Sequence, residues 1–214
     1  GTATSARGTL NYTSGTIIGT FERWFATSST GTTFLYPIGS LANYRPVNIA
    51  FANISTAGKL AYTFTTTPPD NAGLPLTATG ITSYNNFNDG QWIATGTSLV
   101  STNYNLTLDG NGFTAFPFTA NTRILTNTSG SWVDNGTHGT QVNTVISRTA
   151  ITGVTGSFAF ASDHNCTLPS LVTISGTSLP CKNTTVSYSV SHSVGSTYAW
   201  TIPAGASISG PTTK

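Results

Sequence analysis

The sequence predicts an all-β protein, a β-sandwich with the start of a second one behind it, and three observations carry that prediction. Helical periodicity is absent: no stretch stays clear of Gly, Pro and β-branched runs long enough for apolar residues to recur at three and four. Short alternating runs recur along the chain, separated by turn pairs such as Asp109-Gly110, Ser129-Gly130 and Asn135-Gly136, which supply the positive φ that tight hairpins need. The composition is that of a β-protein clothed in hydroxyls and amides. Hydrophobic side chains at 37% and aromatics at 11% suffice for a core, while charged residues make up only 7%, against roughly 25% in ordinary domains.

The first strands are read at Thr9 to Thr13, Thr16 to Phe25, Thr32 to Ile38 and Arg45 to Ala52, where aromatic and β-branched residues alternate with polar ones. Gly58 to Thr65 follows. The segment Thr66 to Asn88 holds Pro68, Pro69 and Pro75 and is read as a long crossover loop between sheets. Beyond it lie Gln91 to Ala94, Tyr104 to Leu108, Arg123 to Thr126, Ser131 to Asp134, Gln141 to Ile151 and Gly156 to Ala161. Period-two alternation then puts Phe21, Trp24, Phe34, Ile49, Phe51, Trp92, Leu106, Val145 and Phe160 in the core. The pattern restarts near Asp163, with a Pro-bearing connector and a strand at Leu171 to Ser175. The sandwich is therefore assigned residues 1–162, and a partial second module residues 163–214.

Charge narrows the function. The net +2 comes from eight scattered bases that form no stripe able to follow a phosphate backbone, so nucleic acid is not an expected partner. No apolar run is long enough to span a bilayer and no signal peptide is visible at Gly1. Low charge with many Thr, Asn and Gly fits an extracellular location. Cys166 and Cys181 are close in sequence, and an oxidising compartment would allow them to form a disulfide unless a cysteine beyond Lys214 takes one of them. Two cysteines cannot make a zinc site.

Three stretches carry a resemblance. "GTFERWFATSSTGTTFLYPIGSLANYRPVNIAF" (Gly19 to Phe51), "NTRILTNTSGSWVDNGTHG" (Asn121 to Gly139) and "GVTGSFAFAS" (Gly153 to Ser162) together resemble a β-sandwich module repeated in large surface and secreted proteins of Bacteroidetes. The tail, Cys166 to Gly210, resembles the PKD-like, immunoglobulin-type module of the same proteins, whose pattern runs "C..P…I.G….C….Y.V….STY.W..P.GA.I". The fold class is then an all-β chain with a β-sandwich followed by the start of a second immunoglobulin/PKD-like β-sandwich. The resemblance implies adhesin-like, repeat-built cell-surface proteins, among them gliding-motility adhesins exported by type IX secretion. Neither module carries catalytic residues there, so none is transferred, and no cofactor is implied. An immunoglobulin-type sandwich needs about seven strands, while Leu171 to Ile208 supplies only part of that set. The module is expected to continue past Lys214 or to be completed by another chain.

Residues that could do chemistry read more simply as structure. Asp70, Asp89, Asp109, Asp134 and Asp163 fall on turns or connectors, where Asx caps explain them better than a hydrolytic carboxylate pair. Glu22 lies in a strand pattern two residues before Trp24 and should share its face. Two readings stand: an edge-strand or salt-bridged Glu, and the acid of a Lys–Asn isopeptide crosslink. The first is preferred, because Lys59 is the only lysine of the first module. His138, His164 and His192 have no zinc spacing, no G-x-S-x-G elbow is present, and Asn85 to Gly90 and Leu108 to Phe113 lack the acidic positions of a calcium loop. The N-x-[ST] triplets at Asn11, Asn53, Asn105, Asn127, Asn135, Asn165 and Asn183 are what a Thr- and Asn-rich chain produces by chance. Among the aromatics, Trp24, Trp92 and Trp200 read as core. Trp132, beside a turn, and with it Tyr44 and Tyr84, are the candidates for contact with a glycan.

The expected function is a non-catalytic structural or adhesive module of a large bacterial cell-surface or secreted protein. Its partners would be neighbouring modules of the same polypeptide, with surface glycans or other cell-surface proteins. The alternative is a carbohydrate-binding accessory module of a secreted hydrolase.

Overall fold

Alternation decides which side of each strand faces inward, and Gly58–Thr65 shows it most plainly: Leu60, Tyr62 and Phe64 are buried, while Lys59, Thr63 and Thr65 are less so. The computed structural model describes residues 10–165, 175–176, 185–189 and 207. It divides the chain into two units, Gly1–Cys166 and Thr167–Lys214.

The described part of the first unit holds strands and no helix. In chain order they are β1 (Ile17–Ile18), β2 (Phe21–Phe25), β3 (Thr33–Tyr36), β4 (Ile38–Gly39), β5 (Val47–Phe51) and β6 (Ile54–Thr56). Next come β7 (Gly58–Thr65), β8 (Leu76–Ala78), β9 (Ile81–Ser83), β10 (Asn85–Asn86), β11 (Gln91–Thr97) and β12 (Val100–Ser101). The last are β13 (Tyr104–Asp109), β14 (Arg123–Asn127), β15 (Trp132–Val133), β16 (Thr137–Val142), β17 (Val145–Ile151) and β18 (Gly156–Ser162). Two sheets form the sandwich. One has seven strands, ordered β15-β14-β18-β11-β7-β2 with β10 paired to the end of β18; the other has five, ordered β16-β17-β13-β5-β3. The expected all-β sandwich is what the chain builds.

Between the sheets lies a core dominated by aromatic rings. At one end Phe25 meets Phe34 and Phe51 edge-on at 5.0 and 4.9 Å, and Tyr36 meets Tyr62 at 4.8 Å. The Tyr36 hydroxyl donates to the Leu60 carbonyl at 2.9 Å, so its burial leaves no polar debt. At the other end Phe64, Trp92, Phe113 and Phe160 pack around one another. Each such ring contributes about 1.5–3 kcal/mol by leaving water.

Four expectations need correction. Trp24 does not face the core. On β2 it is Phe21, Arg23 and Phe25 that pair with Tyr62, Leu60 and Gly58 of β7 on the inward parity, while Glu22 and Trp24 stand on the outer face. Phe21 and Trp24 are three residues apart and cannot share a face of a strand; the two phenylalanines outweigh one indole. Val145 is also outside, 36% exposed. The segment expected as one strand from Gln141 to Ile151 is a hairpin that turns at Asn143, whose φ of +54° Asn tolerates better than most residues.

The third correction concerns Thr66 to Asn88. Its flanking strands β7 and β11 pair with each other in the seven-stranded sheet, so the segment is not a crossover between sheets. It carries the β8–β9 hairpin and β10, and its Leu74 and Leu76 pack on Leu125, Trp132, Ala159 and Ala161. The segment therefore covers the outer face of β14 and β18, which is why those strands are buried on both sides. Fourth, residues 10–13 form no strand, and the run expected from Thr16 to Phe25 breaks at Gly19, where φ is +103°.

In the second unit Ser175 and Ser189 form an antiparallel bridge with reciprocal 2.9 Å hydrogen bonds. The Tyr188 ring lies over Gly176 so closely that a Cβ there would come within 2.2 Å of it. The Gly of the "I.G" element and the Tyr of the "Y.V" element are thus spatial partners.

Candidate functional site

The outer face of β2, β7 and β11 is the part of the seven-stranded sheet that the β8–β9 segment leaves open. Register places Trp24 beside Lys59, and Glu22 beside Ala61, which in turn faces Thr95; Thr63 faces Ile93. Trp24 is partly exposed, although its indole Nε1 is turned away from solvent and has no hydrogen-bond partner. Glu22 and Lys59 close a 2.9 Å ion pair with both side chains nearly half exposed, which cancels their charges and adds little stability. This is the salt-bridged reading of Glu22, in its edge strand; an exposed pair is the wrong setting for isopeptide chemistry, which needs a desolvated lysine. Thr20 and Thr63 share a 2.6 Å hydroxyl bond at the rim. The face is an indole and an exposed isoleucine, Ile93, set among uncharged or neutralised hydrogen-bonding groups. Such a surface suits a polyhydroxylated ligand, whose apolar sugar face stacks while its hydroxyls find donors and acceptors.

The aromatics expected to contact a glycan are dispersed. Trp132, expected to be exposed, is only 3% so. Its Nε1 donates to Asp70 Oδ1 at 2.9 Å and its backbone N–H to the Ala72 carbonyl, because the covering segment lies across it. Tyr44 is half-buried and stacked on Tyr12 with centroids 5.6 Å apart; burial, and then the hydrogen bond with Tyr12, push its phenol above the usual range. One face of its ring is therefore taken. Tyr84 is half-buried on the link into β10. Among the described residues no ring contact joins these three. Cys166, Cys181 and Trp200 lie outside the described residues.

A second polar constellation is internal. Arg148 of β17 is wholly buried and ion-paired through Nη2 to Asp134, while it also donates to the carbonyls of Asn135 and Gly136. One guanidinium thereby ties the β15–β16 connection to β17. His138 lies directly opposite Arg148 on β16. Its imidazole is held below the ordinary 6.5, first by burial and then by the charges of Arg123 and Arg148, with Asp134 opposing them. The unfolded chain therefore binds a proton at His138 that the folded chain refuses just below that value. Stability contributed by neutral His138 should be present above pH about 6.5 and decline as pH falls through it. Urea midpoints measured at pH about 7.5 and about 5.5 should fall further for the parent than for His138→Gln; equal falls would remove His138 from the account.

Residues 167–214, the span of the second unit, match the profile of a PKD-like domain. No curated protein and no solved structure matches the chain.

Proposed function

We propose that the chain is a non-catalytic structural and adhesive part of a large bacterial cell-surface or secreted protein, which spaces or presents adhesive surface outside the cell. The observation that carries this reading is the PKD-like match over residues 167–214, since such domains are structural modules of extracellular proteins. The sandwich that precedes it adds support through its surface of hydroxyls and amides, with charged residues at only 7% of the chain. A repeat-built adhesin of Bacteroidetes, exported by type IX secretion, is the specific form, and it rests on the sequence resemblances. Beads coated with the full chain should be retained under flow on surfaces bearing bacterial or host glycans and leave those surfaces chemically intact. Release of sugar or peptide from the surface would overturn the reading.

A second reading, a carbohydrate-binding accessory module, is favoured by one observation: Trp24 on the open face of β2, β7 and β11. Trp92 and Trp132 are buried, so among the described residues Trp24 is the tryptophan a ligand can reach. A neutral oligosaccharide should change the intrinsic fluorescence of the full chain. Trp24→Ala should weaken that binding about tenfold or more, which corresponds to ~1.4 kcal/mol. Binding that survives Trp24→Ala unchanged would place the ligand elsewhere.

A further inference from the structure

The sequence holds two Asn-Gly dipeptides, Asn111-Gly112 and Asn135-Gly136, and the fold treats them oppositely. Asparagine followed by glycine is the pair best able to react with its own backbone, because no Cβ on the second residue shields the amide nitrogen that attacks the carboxamide. What decides between two such pairs is whether the carboxamide is free to reach that nitrogen.

Asn135 is held. Its Oδ1 accepts the Thr152 backbone N–H at 3.1 Å and the Thr152 hydroxyl at 3.0 Å, and its Nδ2 donates to the Thr152 carbonyl at 2.8 Å. The Asn135 carbonyl is fixed as well, as an acceptor for Arg148 Nε. Turning this carboxamide toward the Gly136 nitrogen breaks all three side-chain bonds at once.

Asn111 is free to turn. It is exposed on the turn after β13, which the Phe113 N–H closes by donating to the Gly110 carbonyl at 2.9 Å, and its carboxamide has no hydrogen-bond partner among the described residues. The Gly112 N–H is likewise without a partner among them. Gly112 is required by the turn itself: its φ is +77° at the third turn position, and a Cβ there would come within 2.5 Å of the Asn43 side chain. The reactive neighbour is therefore built in. Arg45 donates through Nε to the Asn111 carbonyl at 2.9 Å, is only 5% exposed, and makes no ion pair among the described residues. A carboxylate formed at residue 111 would arise beside a buried cation that has no counter-charge in contact.

We propose that Asn111 is a site of self-modification. The Gly112 nitrogen attacks Asn111 Cγ; the N–Cγ bond forms, the Cγ–Nδ2 bond breaks, and ammonia leaves with the proton that the Gly112 amide gives up. Water then opens the five-membered imide, at the Cγ carbonyl to give aspartate or at the main-chain carbonyl to give isoaspartate. Either product replaces a neutral carboxamide by a carboxylate and takes one unit from the formal net charge of +2.

The test incubates the full chain in mildly alkaline buffer, folded and, in parallel, unfolded in urea. Trypsin separates the two pairs, since cleavage after Lys59, Arg123 and Arg148 leaves Asn111 and Asn135 in different peptides, and fragment masses place the amide-to-acid gain on one residue. In the folded chain Asn111 should convert at least about tenfold faster than Asn135, a factor that three hydrogen bonds can impose. In urea the two should convert at similar rates. Asn111→Gln, whose longer side chain cannot close the five-membered ring, should remove the gain from its peptide. Equal rates in the folded chain, faster conversion at Asn135, a gain that persists in Asn111→Gln, or an Asn111 that converts in urea and stays intact when folded would each overturn the proposal.

Discussion

Replacing Trp92 by alanine should destabilise the first unit by about 3–5 kcal/mol, among the largest losses a single substitution in this core can produce. Trp92 is completely buried, and its ring lies 5.3 Å from Phe64, 5.6 Å from Phe113 and 5.1 Å from Phe160. The indole Nε1 donates to the Arg45 carbonyl at 3.0 Å. Arg45 in turn lies over the Phe64 and Phe113 rings, 4.6 Å from each centroid, and donates through Nε to the Asn111 carbonyl. Alanine would open a void where three rings meet and unseat the arginine that closes that end of the sandwich. Trp92→Phe keeps most of the packing and loses the hydrogen bond, and should cost less than the alanine variant by at least about 1 kcal/mol. Urea unfolding with unchanged slopes would report both values. A loss below about 1 kcal/mol for Trp92→Ala would mean that this cluster is not where the core's stability resides.

The same ring was legible from alternation alone, and the contrast with Trp24 explains where such reading stops. Gln91 to Ala94 sets Trp92 and Ala94 on one parity against Gln91 and Ile93 on the other, and the indole outweighs a lone isoleucine paired with a glutamine. Phe21 to Phe25 offers two aromatic parities, and a tryptophan's size does not outvote two phenylalanines on the other side. The open face with its indole therefore went unseen, although counting both parities would have found it. The cover over β14 and β18 had a signal too: Phe158, Ala159, Phe160 and Ala161 form an unbroken apolar run, which implies burial on both faces. What no local pattern announces is the depth of Arg148. Set between Ser147 and Thr149, it reads as a solvent-facing charge; only its shared parity with Ile146, once the turn at Asn143 is known, turns it inward.

That depth makes Asp134 the second residue whose loss should be severe. Asp134→Ala is expected to cost about 3–5 kcal/mol, because it removes the partner and leaves the charge of Arg148 buried with no carboxylate in contact. The cost is a property of the stranded charge more than of the bond. Accordingly the double variant Asp134→Ala with Arg148→Met should be more stable than Asp134→Ala alone, since methionine fills much of the volume without needing a counter-charge. Recovery should be incomplete, as the carbonyls of Asn135 and Gly136 lose their donor in the double variant. Urea midpoints for the parent, the single and the double variant separate the stranded charge from the lost hydrogen bonds. If the double variant proved no more stable than the single, the Arg148 charge would be solvated in the folded chain, and the buried ion pair would not be what joins the β15–β16 connection to β17.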